Sequence, residues 1–182
     1  GRKVEVDGGE DVGRKKSGRC RKRKKGYKFA TVTWSGFIGA CSGMNEHGLT
    51  VTINAAKSSI PTDAATPIAL LAREILQYAK TINEAVEIAK KRNVFVSESI
   101  LIGSATDNKV ISIEKSPTNI DIYEIQNSNE LICPNHFQGP AYSNDYNNLI
   151  NQAESSSLYR KYRLKQLLNE DKHINYTEVA TI

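Results

Sequence analysis

The stretch SGMNEHGLTVTINA, residues 42–55, predicts two antiparallel strands joined by a tight turn. The turn is the polar Asn45-Glu46-His47 followed by Gly48, and Asn and Gly are the residues that best tolerate a positive φ. From Leu49 to Ala55 apolar residues alternate with threonines, the period-2 pattern of a half-buried strand. Asn54 lies at the end of that strand, where a side-chain amide is well placed to donate hydrogen bonds to a developing oxyanion.

The segments around this hairpin predict further antiparallel strands. Phe29–Trp34 is alternating, aromatic and β-branched, and Phe37–Ser42 is predicted as a second strand after the Ser35-Gly36 turn. In the second half of the chain, the β-rich segments that we predict as strands are Val94–Gly103, Val110–Glu114, Ile120–Gln126 and Glu130–Cys133.

Two helices are predicted between these groups of strands, and one after them. Thr66-Pro67 is a start signal with Thr66 as the N-cap, and Thr81-Ile82-Asn83-Glu84 is a capping box that opens a helix ending near Arg92. Tyr142–Ser156 is polar and rich in Asn and is predicted as a loop, and Ser157–Asn169 is predicted as the last helix. This order predicts an α+β fold rather than the alternation of a parallel sheet.

The charge of the chain is unevenly distributed. Its 182 residues are enough for one domain with a sizeable core, and residues 1–28 hold 12 of the 25 Lys and Arg against four acids. We divide the chain into a basic arm, residues 1–26, and a domain, residues 27–182. The arm is predicted to be disordered or atypical because it lacks large apolar groups. The alternative is an arm that binds an anionic partner such as nucleic acid through charge alone.

Residues 42–55 resemble the GMNExGLxVxxNA signature of the choloylglycine hydrolase and isopenicillin-N acyltransferase group, which includes the peptidase C45 type. These are N-terminal-nucleophile (Ntn) hydrolases. The resemblance implies a four-layer αββα sandwich, here expected to be incomplete at its N-terminus. It also implies that Asn54 supplies an oxyanion-hole donor and that Asn45 lies in the turn next to bound substrate.

Two further motifs extend the resemblance over residues 27–169. The segment Leu131–Phe137 is similar to the family's TNHF segment, which implies an active-site role for Asn135 and a substrate-orienting or packing role for His136. The run SSSLYRKYRL at residues 155–164 resembles the family's S-x-x-R helix start. In that pattern Ser157 or Ser156 caps the helix, and Arg160, with Arg163 in reserve, reaches the floor of the active site.

The nucleophile that the resemblance requires is not visible in this sequence. Ntn hydrolases use a chain-terminal Cys, Ser or Thr whose own α-amino group acts as the base, and residue 1 here is Gly. Cys20 lies in a basic run with no predicted strand, and Cys41 is expected to be a strand residue. Cys133 and His136 are expected to point to opposite faces. Three explanations fit: a fragment or autoproteolysis product, a chain without its first strands, or a member of the family without activity.

The sequence therefore supports two hypotheses from different classes. The first is an acyltransferase or amidohydrolase acting on a carbon–nitrogen amide bond through an acyl-enzyme, formed on an N-terminal Cys that lies outside this chain or is missing. Its expected partners are a small-molecule amide or thioester substrate, a companion chain with the nucleophile, and further copies in a homo-oligomer. Nucleic acid is not an expected partner of this enzyme, and no metal or organic cofactor is expected. The alternative is a non-catalytic αββα domain or fragment whose basic arm binds an anionic partner.

Overall fold

The computed structural model describes residues 3–4, 16–21, 25–60, 63–126 and 130–170, and for the first two ranges it describes the backbone only. These residues form an eight-stranded sheet and four α-helices. The strands are β1 (Lys3–Val4), β2 (Lys16–Arg21), β3 (Phe29–Trp34), β4 (Ser42–Asn45), β5 (Leu49–Ala55), β6 (Glu98–Ser104), β7 (Lys109–Lys115) and β8 (Ile120–Tyr123). The helices are α1 (Ile68–Tyr78), α2 (Ile82–Lys91), α3 (Tyr146–Glu154) and α4 (Ser157–Glu170).

The sheet has the simplest possible topology. Its strand order is the chain order, every neighbouring pair is antiparallel, and α1 and α2 are inserted between β5 and β6. The α+β fold class predicted from the sequence is confirmed. The described residues contain one sheet, so the four-layer αββα sandwich stays a prediction.

The hydrophobic core lies between the sheet and the pair α1 and α2. Both helices carry an apolar stripe at helical spacing, and the stripe of α1 is fully buried. Alternate residues of the sheet point at these helices, as the period-2 geometry of strands requires. The buried members of this core include Leu49, Val51, Leu71, Ile75, Leu76, Ile100, Ile102, Ile111 and Ile113.

Asn45 holds the β4–β5 turn against the end of α1. Its side chain is only 4% exposed, and its Oδ1 accepts hydrogen bonds from the backbone N–H groups of His47 (3.0 Å) and Leu49 (3.1 Å). Its Nδ2 donates to the carbonyls of Leu76 (3.1 Å) and Ala79 (2.7 Å), which α1 leaves without helical partners. Gly48 completes the turn with a φ of 74°, as the sequence predicts for this position.

The prediction of a strand over Phe37–Ser42 was wrong, because β4 begins only at Ser42. The preceding loop instead follows α1, where the backbone N–H of Ala40 donates to the carbonyl of Ala69 (2.9 Å). The N-cap of α1 is Pro67 rather than the predicted Thr66, whose own backbone N–H donates to the carbonyl of Asn93 (2.9 Å). In both places a backbone contact with another segment overrides the local signal.

Other boundaries differ in the second half of the chain. Residues 130–133, predicted as a strand, have no strand pairing, and α3 occupies much of the predicted Tyr142–Ser156 loop. β6 starts at Glu98, four residues after the prediction, whereas β7 and α4 lie where they were expected. The predicted N-cap is confirmed, since the Thr81 hydroxyl accepts from the Glu84 N–H (3.3 Å). The reciprocal half of the capping box differs, because the Glu84 carboxylate accepts from the N–H of Lys80 (2.6 Å), one residue before the cap.

The basic arm contributes strands to the sheet. β2 pairs along its whole length with β3, so the expectation of a strandless run around Cys20 was wrong for residues 16–21. Without this partner, β3 would present a row of unpaired backbone groups at an edge, which favours pairing with any available strand. The division of the chain at residue 26 stays a prediction. Among the helices that the structure describes, none combines the length and apolarity needed to cross a bilayer.

Candidate active site

A row of polar side chains crosses the sheet on the face opposite to α1 and α2. Asn54 on β5 is paired with Ser99 on β6, Ser99 with Glu114 on β7, and Glu114 with Asp121 on β8. Paired residues point to the same face, so the four side chains lie side by side. Ser99 and Glu114 are buried, which shows that this face is covered here rather than solvated.

The segment that covers the row is residues 131–142, and two asparagines fasten it to β5. Asn54 Nδ2 donates to the carbonyl of Cys133 (2.7 Å), and Asn135 Nδ2 donates to the carbonyl of Ala55 (2.9 Å). We call this reciprocal pair of hydrogen bonds the amide clamp. A primary amide has two N–H donors, so the clamp uses one donor of each asparagine.

Asn135 is held from three further directions. Arg160 Nη2 donates to Asn135 Oδ1 (3.0 Å), and this hydrogen bond fixes the orientation of the Asn135 amide. The backbone N–H of Asn135 donates to Ser157 Oγ (2.8 Å), and the backbone carbonyl of Asn135 accepts from Asn151 Nδ2 (2.6 Å). Helices α3 and α4 therefore position Asn135 through polar side chains rather than through apolar packing.

His136 lies beneath the same helix start. Its ring is only 2% exposed, and its Nδ1 is 2.9 Å from Ser157 Oγ. Burial, together with the positive charges of Lys161 and Arg160, lowers the pKa of His136 to about 4, so the ring is neutral at physiological pH. Ser157, predicted as a helix cap, instead uses its hydroxyl to join Asn135 and His136.

Glu114 and Asp121 hold the far end of the covering segment. The fully buried Glu114 carboxylate accepts from the backbone N–H groups of Gln138 (2.8 and 2.9 Å) and Gly139 (2.7 Å). Asp121 Oδ2 accepts from the N–H of Ala141 (2.8 Å). Burial raises the pKa of Glu114 to about 7 in spite of these hydrogen bonds, so it changes protonation near neutrality.

The described cysteines are not activated nucleophiles. Burial raises the pKa of the Cys133 thiol, which lies 3.9 Å from the Ser112 hydroxyl, and burial also raises the pKa of Cys41. A protonated thiol is a poor nucleophile. Cys133 contacts the sheet while His136 contacts α4, as expected from their spacing, so they form no thiol–imidazole pair.

The backbone of β2 places Cys20 far from the amide clamp. Cys20 is opposite Ala30, in a row that continues through Met44 to Thr50. It therefore lies three strands and four residues from Asn54, or about 20 Å at about 4.8 Å per strand and about 3.4 Å per residue. Such a separation argues against Cys20 as a nucleophile assisted by Asn54.

Residues 11–178 match the model of the family described as acyl-coenzyme A:6-aminopenicillanic acid acyl-transferase. The chain belongs to this family. The predicted relationship to Ntn hydrolases of the isopenicillin-N acyltransferase and peptidase C45 type is therefore confirmed.

Individual relatives of this acyltransferase family match less of the chain. Protein dcd1A of Dictyostelium discoideum is 26% identical over 102 residues, which is 56% of this chain and 23% of that protein. The chain thus spans about a quarter of that curated relative.

Similar solved structures include penicillin V acylase from Agrobacterium tumefaciens (25% identity, TM-score 0.41, covering 53% of this chain and 33% of that one). The N-acylethanolamine-hydrolyzing acid amidase ortholog of Caenorhabditis elegans is 16% identical, with a TM-score of 0.44 and coverages of 62% and 59%. A variant of the conjugated bile acid hydrolase from Clostridium perfringens is 15% identical, with a TM-score of 0.43 and coverages of 55% and 36%.

The structure brings together four of the five residues that the acyltransferase resemblance assigned to the site. Asn54, Asn135 and Arg160 are linked by hydrogen bonds, and His136 joins them through Ser157. Asn45 lies apart, on the face of the sheet that α1 and α2 cover. Its amide makes two hydrogen bonds within the turn and two to the end of α1. Arg163, held in reserve, is exposed, and its Nη1 donates to Gln166 (2.9 Å).

Sequence reasoning missed the parts played by Asn151 and Glu114. The Asn-rich composition of residues 144–151 was a signal, but it was interpreted as a loop. Ser112 and Glu114 alternate with isoleucines in β7, a pattern that normally marks a solvent-facing side and here marks a covered polar row. Within the described part of the chain, no group of three or more His, Cys, Asp or Glu side chains has an arrangement that would hold a metal ion.

Proposed function

We propose that this chain is the oxyanion-binding part of an acyltransferase or amidohydrolase that cleaves a carbon–nitrogen amide bond through an acyl-enzyme. The amide clamp is the observation that supports this most directly. It holds two primary amides at the end of β5 and uses one N–H of each; the Asn135 amide keeps its second N–H, whereas the Asn54 side chain also hydrogen-bonds the Cys133 thiol. Fixed neutral donors of this kind stabilise charge that develops on a carbonyl oxygen.

In the proposed reaction a thiolate attacks the carbonyl carbon of the substrate amide, and the C=O π electrons move onto the oxygen. The second N–H of Asn135 stabilises that oxyanion, together with the Asn54 N–H once it exchanges its weak thiol acceptor for the oxyanion. As the carbonyl re-forms, the C–N bond breaks, and the amine leaves with the proton that the nucleophile's α-amino group took from the thiol. Water or another amine then attacks the thioester and releases the acyl group and the thiolate.

Arg160 serves in this proposal as a positioning residue. Its guanidinium donates to the side-chain oxygen of Asn135, so the Nδ2 of that amide must point the other way, toward Ala55 and the site. Because Arg is always charged, this orientation is independent of pH over the physiological range. A substrate carboxylate near Arg160 would also be attracted to it.

The nucleophile belongs outside the described residues in this proposal. A companion chain or a longer gene product that begins with Cys after processing would supply it, and a homo-oligomer remains our expectation for the assembled enzyme. The substrate is a small-molecule amide or thioester. Bile-salt amides, β-lactam side-chain amides and N-acyl amino acids are the acyl compounds with which to begin.

The test uses the complete gene product, with its mature N-termini identified by mass spectrometry. We expect Asn54→Ala to lower kcat on the best amide of that panel by about 10²- to 10³-fold, as for the loss of one oxyanion donor. The far-ultraviolet circular dichroism should be unchanged. Asn83→Ala, an exposed position on α2, is the matched control. Full activity of Asn54→Ala would refute the proposed role.

The alternative function makes a different prediction for the same material. Residues 1–28 carry a net charge of about +8, which suits an anionic partner. If the complete product shows no amide turnover, and deletion of residues 1–26 abolishes a salt-sensitive affinity for nucleic acid, the binding interpretation replaces the enzymatic one.

A further inference from the structure

A cavity of about 290 Å³ lies between the covering segment and helices α3 and α4. It is separate from the amide clamp, since neither Asn54, Asn135 nor Arg160 borders it. Six of its thirteen wall residues are aromatic or aliphatic, namely Tyr123, Phe137, Tyr142, Leu149, Leu158 and Tyr162, and the other seven are polar, charged or glycine. Its volume is at the small end of the range for ligand pockets, which suits a molecule of modest size.

Lys161 gives one side of this cavity a positive charge. The residue is half-buried, and it makes no salt bridge with any residue that the structure describes. The carboxyl of Glu114 attracts this ammonium but is itself committed to the N–H groups of Gln138 and Gly139, and the ammonium of Lys165 repels that of Lys161. A half-buried ammonium without an ion pair gains more from an anionic ligand than a fully solvated one does.

His136 gives the same cavity a hydrogen-bond donor. The Ser157 hydroxyl accepts from the Asn135 N–H, and His136 Nδ1 is the acceptor within reach of its single proton. If the hydroxyl donates to Nδ1, the neutral ring carries its own proton on Nε2. No hydrogen bond to Nε2 is made by the described residues, and the ring borders the cavity. Two donors therefore border the same pocket.

We propose that this cavity binds a small organic acid, with the carboxylate between His136 Nε2 and the Lys161 ammonium and the hydrocarbon part against the tyrosine and leucine walls. A carboxylate accepts both hydrogen bonds at once, and the ammonium supplies charge assistance. The aromatic and aliphatic part of the wall offers a hydrocarbon chain a contact surface that an inorganic anion cannot use.

The test is the equilibrium binding of hexanoate, followed by nuclear magnetic resonance shifts or calorimetry, on the parent protein and two variants. We expect Lys161→Met to weaken hexanoate binding by at least about tenfold, the usual cost of one charge-assisted hydrogen bond. Lys91→Met, an exposed lysine on α2 that does not border the cavity, should bind hexanoate like the parent. Hexanol, which lacks the charge, should bind at least about tenfold more weakly than hexanoate to the parent.

Each contrary result overturns the proposal. Equal binding of hexanol and hexanoate would show an apolar pocket without an acid site, and this comparison needs no variant to fold. Unchanged binding by Lys161→Met would exclude the ammonium, and binding of inorganic phosphate as tight as that of hexanoate would exclude an organic acid. Absence of any hexanoate binding would remove the site altogether. The readout is independent of turnover, so it stands or falls separately from the proposed function.

Discussion

Asn45 and Asn54 are nine positions apart in one hairpin, and their side chains hydrogen-bond different parts of the molecule. Asn45 uses both halves of its amide to join the turn to the end of α1. Asn54 holds the covering segment through the Cys133 carbonyl and also hydrogen-bonds the Cys133 thiol. The sequence motif that contains both residues predicted a site role for each. It could not assign a face to Asn45, because that depends on where β4 ends and where α1 packs.

At the residue scale, we expect Asn45→Ala to lower the free energy of unfolding by about 2–4 kcal/mol. The change leaves two carbonyls and two N–H groups unpaired in a buried position, and each such loss costs about 1 kcal/mol or more. Urea unfolding measures the difference, and Asn144→Ala, which is exposed, is the control. A change no larger than that of the control would show that the four hydrogen bonds contribute nothing.

Glu114 gives a second residue-scale prediction, one that depends on pH. Its folded-state pKa is raised from 4.5 to about 7 by burial, so folding takes up a proton between these values. Stability from this residue is present at low pH and is lost as the pH rises through 7. Relative to Glu114→Gln, the parent should lose about 3 kcal/mol of unfolding free energy between about pH 4.5 and about pH 8. Parallel stability curves for the two proteins would contradict this.

Among the elements, α2 and α3 show how far sequence signals reach. The capping box and the apolar stripe of α2 are local, so the sequence predicted this helix at its observed position. Helix α3 has no such stripe, because its buried residues are Asn148 and Asn151. Asn148 Oδ1 accepts from the Phe137 N–H (2.9 Å), and its Nδ2 donates to the Phe137 carbonyl (3.1 Å). A helix that packs through amides against a distant segment cannot be recognised from hydrophobic periodicity.

The cap of α2 supports a prediction at the element scale. We expect Thr81→Ala to lower the free energy of unfolding by about 1 kcal/mol, because the Glu84 N–H loses its side-chain acceptor. Thr81→Ser keeps the hydroxyl and should retain most of that stability. Thermal or urea unfolding of the three proteins distinguishes them. Equal losses in both variants would assign the effect to the threonine methyl group instead of the cap.

Across the whole molecule, residues on the two faces of the sheet are expected to contribute differently to the free energy of unfolding. One face is covered by α1 and α2, whereas over β3 and β4 the opposite face leaves Val32 and Met44 more than half exposed. Polar residues alternating with apolar ones predicted two such faces. The sequence pattern did not show that residues 131–142 cover only the part of the second face that carries the polar row.

A matched pair of valines tests this difference. Val51 is 1% exposed and faces the helices, and Val32 is 56% exposed on the other face. We expect Val51→Ala to cost about 1–3 kcal/mol of unfolding free energy through lost packing, and Val32→Ala about 0.5 kcal/mol or less. Urea unfolding of both variants gives the comparison. Similar losses would mean that the face around Val32 is covered in solution.

The strand order of the sheet also has a kinetic consequence. Because every strand pairs with its chain neighbour, most of the sheet forms from hairpins that close short loops, and these close rapidly. The two hydrogen bonds of the amide clamp join residues 79 and 80 positions apart, so they are long-range contacts that we expect after the hairpins. In pulsed hydrogen exchange during refolding, the amides of β5–β7 should gain protection before those of residues 135–139. The geometry of the amide clamp would then be acquired after the sheet that supports it.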